Sequence, residues 1–179
     1  MKLIVSIIVF MLISANNVQA DYLEDMKNFG YVAGGGIACD APRYKAYSLV
    51  TQAYLVSAAR SDEEQEKGMI AYNEGKAHAY LLTKSRNLMD CGEIRERFER
   101  QKIFKTKLFK NGILKMPDGK VIRPRKPYDV TNIYDRNSNE KEYLDKIYEE
   151  NIRKKKQRML KEGIYEKIKQ EELKARNRY

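Results

Sequence analysis

Cys39 and Cys91 are the only cysteines of this chain, and in an oxidising compartment such a pair closes to a disulfide. Zinc is the rival use of cysteine. It wants about four ligands, and the single histidine, His78, does not complete a set. A thioredoxin-type exchange centre needs two close thiols, whereas 51 residues lie between these two. A Cys39–Cys91 disulfide is therefore expected, and no metal site. In the chain-entropy model, closing a loop of this size is worth about 4 kcal/mol.

The other reactive types are less tellingly spaced. Histidine tunes proton transfer near neutral pH, but His78 has neither a spare cysteine nor a serine at a recognisable elbow, and it reads as an ordinary core or surface residue. Gly34-Gly35-Gly36 could cradle a phosphate with backbone N–H groups. It lacks the fixed glycine spacing and the Lys-Ser/Thr of the nucleotide motifs, so it reads as a flexible joint. Asp62-Glu63-Glu64 and Glu66 show no calcium-loop alternation around a glycine; they suit the positive end of a helix dipole. No carboxylate pair is placed to flank a sugar substrate. No catalytic residue and no cofactor are assigned.

Charge is the stronger signal. Residues 21–91 hold eight Lys or Arg against ten Asp or Glu, whereas residues 92–179 hold 26 against 15. The densest cations are Arg123, Arg125 and Lys126, then Arg153, Lys154, Lys155, Lys156 and Arg158. These eight are the candidate contact for an anionic partner, with a solvated face as the plain alternative. The partner chemistry is a lipid headgroup layer, an acidic envelope polymer or an acidic protein. Nucleic acid is disfavoured: no recognition helix, finger or strand-based binding motif accompanies the charge.

The N-terminus argues for export. Met1-Lys2 leads into the apolar run Leu3–Ile13, and Val18-Gln19-Ala20 ends the segment. That is the layout of a secretory signal peptide with cleavage after Ala20. A spanning helix needs about 20 apolar residues, more than this run supplies. The expected address is periplasmic or secreted.

The elements that must hold the cysteines read as helices. Asp40 and Pro42 suit a start, and Arg43–Arg60 carries neither Gly nor Pro and is apolar on most faces. Ser61 with Glu64 has capping-box spacing and opens a second helix to about Asp90. That helix would be roughly 15 Å longer than the first, so it either breaks at a glycine, Gly68 or Gly75, or overhangs. A third helix should run from Gly92 towards Lys110, stopped by Asn111-Gly112. Ile113–Ile122 around Pro117-Asp118-Gly119 reads as a hairpin. Arg123–Tyr128 is an extended, proline-restricted linker. From Asn139 a thin apolar stripe and many charges predict a long helix, interrupted at Gly163.

The expected organisation is a signal peptide (1–20), an N-terminal arm and glycine-rich joint (21–38), a three-helix core (39–111), a hairpin and Pro/Arg linker (112–138) and a charged C-terminal helix (139–179). The fold class is mainly all-α: a disulfide-tied up-down-up helical core with a small β-hairpin and a long basic C-terminal helical extension. The functional expectation is an exported interaction or structural protein contacting an acidic partner or surface of the cell envelope. The C-terminal helix offers a route to self-association. A periplasmic stress chaperone and a small exported hydrolase with a composite site are the alternatives.

Overall fold

A computed structural model describes residues 21–134 and 140–176. The expected signal peptide, its cleavage site and the Asn139 cap lie outside the described residues. The fold is mostly helical with one small sheet. Helix α1 covers residues 21–38. It is followed by α2 (Tyr44–Ala58), α3 (Asp62–Ser85), α4 (Cys91–Glu99) and a short 3-10 turn at Lys102–Lys105. Strands β1 (Lys107–Leu108), β2 (Leu114–Lys115) and β3 (Val121–Ile122) come next, then α5 (Thr131–Tyr134), α6 (Glu140–Lys161) and α7 (Ile164–Arg176). The chain divides into two units, one up to Ser138 and one from Asn139.

The largest correction concerns residues 21–38. They are not an arm and a joint but a buried helix, with Met26 and Ala33 fully enclosed. Glycine costs about 1 kcal/mol in a helix relative to alanine, and Gly34, Gly35 and Gly36 all sit inside this one. Backbone contact offsets that cost. A β-carbon on Gly30 would overlap the Tyr72 carbonyl of α3, and one on Gly34 the Lys76 carbonyl. From the other side, Gly75 faces the Lys27 carbonyl and Gly68 faces the Tyr22 ring. The partners ascend together along both helices, so α1 and α3 run parallel. This also settles the length mismatch: α3 does not break at its glycines, and at 24 residues against 15 it outruns α2, with α1 lying along it.

Helix α2 runs antiparallel to α1. Tyr22 donates to the Leu55 carbonyl (2.9 Å), Tyr54 to Asp25 (2.8 Å) and Tyr47 to the Phe29 carbonyl (3.1 Å). Each phenol thus buries its ring and satisfies its hydroxyl. Pro42 and Asp40 do not start α2. Asp40 has φ +51° and closes α1: the Ala41 N–H reaches the Gly36 carbonyl and the Asp40 N–H that of Ile37, a Schellman ending. At the end of α3, Asn87 (φ +52°) takes the same place, with Leu88 bonded to Thr83 and Asn87 to Lys84. These two endings bring the cysteines together. Cys39 and Cys91 are joined, with Cα atoms 5.2 Å apart.

The third helix stops at Glu99, short of the expected Lys110. Phe98, Phe104 and Tyr47 form one aromatic cluster with ring centroids 4.9–5.9 Å apart. Ile103 is buried beside them, and this inward pull bends the chain into the 3-10 turn. The expected hairpin gains a third strand. The order is β1-β2-β3, antiparallel, with Lys107 opposite Lys115 and Lys115 opposite Val121. Nor does the core end at residue 111. Leu114 is fully buried and Ile122 nearly so. Ser57 donates to the Gly112 carbonyl (2.7 Å), and the Tyr128 hydroxyl donates to that of Ala53 (3.2 Å). A chain cut after Gly112 would lose part of its own interior.

In the second unit, α6 and α7 meet at Gly163 (φ +65°). A left-handed residue there ends one helix before the next begins.

Candidate functional site

The basic residues singled out by sequence fall in both units, and each group has its own setting. Arg125 is engaged with Asp62 at the N-terminus of α3. Its hydrogen bond and charge hold the Asp62 carboxyl below the usual range, and Lys126 adds to the effect. Arg125 thus links the proline-rich segment to the start of α3 through a solvent-exposed pair. Arg123 is exposed and directly follows β3.

Arg60, Ser61 and Glu64 sit beside that pair. Ser61 accepts from the Glu64 N–H (3.0 Å), as the capping-box spacing requires. The reciprocal bond differs: Glu64 takes the Arg60 N–H rather than that of Ser61. It also takes the Arg60 guanidinium at 2.8 Å. These bonds hold the Glu64 carboxyl below its usual pKa against its burial.

Arg153, Lys154, Lys155, Lys156 and Arg158 all lie on α6, where residues 149–158 are exposed throughout. Successive helical residues step about 100° around the axis, so these five surround the helix rather than form one face. Lys154 pairs with Glu150 at 2.7 Å, which holds the Glu150 carboxyl below its usual range. On the same unit Ile152, Leu160, Ile168 and Leu173 are all more than two-fifths exposed.

Sequence reasoning missed a third basic surface, because seeing it requires the strand register. Side chains alternate across a strand. Leu108, Leu114 and Ile122 point inward, Leu114 and Ile122 fully into the core. Lys107, Lys115 and Val121 therefore form one outward row. The Phe109 N–H donates to the Ile113 carbonyl (2.9 Å), and the same alternation places Phe109, Ile113 and Arg123 in a second row. The available signal was the repeated pattern Lys-Leu-Phe, Ile-Leu-Lys and Val-Ile-Arg, an apolar centre between outward positions.

A groove of about 360 Å³ opens between α1, α3 and α4. Val32, Ala79, Leu82 and Ile94 line its floor. The charges on its rim are paired locally, Arg86 with Asp90 (3.0 Å) across the α3–α4 turn and Arg97 with Glu93 (2.5 Å) along α4. His78 does not line it; it is exposed and meets the Tyr31 ring edge-on at 5.9 Å. Among the described residues, no three His, Cys, Asp or Glu gather to hold a metal ion. No described helix is long and apolar enough to cross a membrane.

Comparison of the chain with protein-family models, with curated proteins and with solved structures finds no match.

Proposed function

We propose that this chain is an exported helical interaction protein of the cell envelope, in which a disulfide-tied unit carries a basic helix that engages an acidic partner. The carrying observation is the Arg153–Arg158 block. Five cations stand exposed around one helix, and such a field accelerates encounter with an anionic surface. The apolar N-terminal run followed by Val18-Gln19-Ala20 supports an exported address. A structural disulfide is at home in the same compartment.

The test uses the full chain and a variant with R153Q, K154Q, K155Q, K156Q and R158Q. Each is incubated with envelope extract from the native source, recovered, and its companions identified. Wild type should retain an acidic partner that the neutralised variant loses and that moderate salt releases. Equal recovery by both forms sinks the reading.

Self-association is a second reading, favoured by the charge order along α6. Glu140, Glu142, Asp145, Glu149 and Glu150 precede the basic block. Two copies of α6 laid antiparallel would therefore oppose acid to base. Analytical ultracentrifugation separates the cases: a dimer that dissociates in salt supports this reading, and a monomer at all concentrations removes it.

A further inference from the structure

We propose that the outer face of the three-stranded sheet docks on the headgroup layer of an anionic lipid membrane. Lys107, Lys115 and Arg123 would pair with phosphates while Phe109 and Val121 enter the interfacial layer. These residues lie outside α6, so the inference stands or falls apart from the reading of the basic helix.

Lys107 faces Lys115 directly across β1 and β2. Like charges placed opposite one another repel, and no acid among the described residues pairs with Lys107, Lys115 or Arg123. The surrounding chain does not supply one readily. From Arg100 to Lys126 there are ten Lys or Arg and a single acid, Asp118. Such a surface is held ready for anions from outside the chain.

Charge alone would suit any polyanion. The apolar members of the same face narrow the choice. Phe109 is 50% exposed and Val121 46%, set among the cations. A soluble acidic polymer would neutralise the lysines and leave these two side chains in water. A membrane surface takes both kinds at once: anionic headgroups attract Lys and Arg within a Debye length, and the interface accepts aromatic and aliphatic tips. Lysine stems can lie along the apolar layer while their ammonium groups stay in the headgroups. Residues lining the groove between α1, α3 and α4 are not on this face, so a small apolar ligand is not the natural occupant.

The experiment uses the full chain and vesicles of phosphatidylcholine, alone or mixed with phosphatidylglycerol. The chain has no tryptophan, so F109W places one reporter on the proposed face. Wild type and F109W should sediment with the anionic vesicles only, and the F109W emission should shift to the blue and be quenched by brominated lipid. Combining K107Q, K115Q and R123Q should weaken sedimentation by about a hundredfold, and F109S with V121S by about tenfold at unchanged charge. Circular dichroism checks that each variant is folded. The variant neutralised at residues 153–158 should still shift its emission when it carries F109W. Sedimentation with unmoved F109W emission would overturn the proposal, because another face would then be docking. So would loss on removing the cations with no loss on removing Phe109 and Val121, the signature of a soluble polyanion site. Equal binding to a single-stranded nucleic acid, or to both vesicle types, would also overturn it.

Discussion

Gly34 of α1 meets Lys76 of α3 backbone to backbone, leaving no room for a β-carbon between the helix and the Lys76 carbonyl oxygen. Gly35, one residue on, differs: a β-carbon there would stand 3.2 Å from Ile94 Cγ2, the end of a side chain. Gly92 has open space. Three glycines thus stand in three unlike surroundings.

Alanine at each position reads out the difference. G34A should cost about 1–3 kcal/mol, because a packed backbone cannot yield without shifting α1. G35A should fall near wild type, the gain in helix propensity of about 1 kcal/mol offsetting a mild contact. G92A should stabilise by roughly 0.5 kcal/mol or more. Urea unfolding of the three variants gives the order. A G34A no less stable than G35A would show that the two helices do not cross as described.

The disulfide joins the end of α1 to the start of α4. C39S with C91S should lower stability by about 4 kcal/mol, less any strain released. The fold should persist under native conditions, because the Schellman bonds at Asp40 and Asn87 position both ends without the sulfurs. Far-ultraviolet dichroism should hardly change while the denaturation midpoint falls. Loss of the helical spectrum at neutral pH would make the bond a condition of folding.

Local signals were legible in the sequence wherever one segment decided its own shape. Ser61 caps α3 and Gly163 parts α6 from α7; the cysteine pair, 52 residues apart, was legible from its count instead. Gly34-Gly35-Gly36 misled because propensity counts a glycine as a breaker, while its merit here depends on Lys76, Ile94 and Phe98, residues distant in the sequence. The third helix ended early for a similar reason. Phe104 serves the Tyr47 and Phe98 cluster, and no helical stripe through Lys110 could have satisfied it. The α6 block is visible as a run of letters. The sheet face is not, since Lys107, Lys115 and Val121 become neighbours only once the register is known.

Glu64 should set an acid limit. Its folded pKa is lowered by the Arg60 hydrogen bonds, so it contributes stability above the unfolded carboxyl value of about 4.3. That contribution is lost as pH falls through the folded value. E64Q removes this dependence while keeping the shape. Thermal unfolding followed from pH 7 down to 3 should show wild type falling more steeply than E64Q below about pH 4. Parallel curves would mean that Glu64 is no better held in the fold than in the open chain.

Tyrosines should set the alkaline limit, with the opposite sign. Tyr22, Tyr47 and Tyr54 have pKa values raised chiefly by burial, and Tyr128 is raised for the same reason. A neutral phenol is thus kept in the fold, whereas the open chain ionises near pH 10. The stability this represents is fully present below about pH 10 and is lost as pH rises beyond it. Ultraviolet absorbance should show part of the tyrosinate appearing together with the loss of helical dichroism. Y47F makes the test sharper. It forfeits the bond to the Phe29 carbonyl and should cost about 1 kcal/mol at neutral pH. Yet it removes one ionisable group from the interior, so its stability should fall less steeply than that of wild type above about pH 10. If both proteins lose stability with the same slope there, Tyr47 is not held neutral by the packing of α1 against α2.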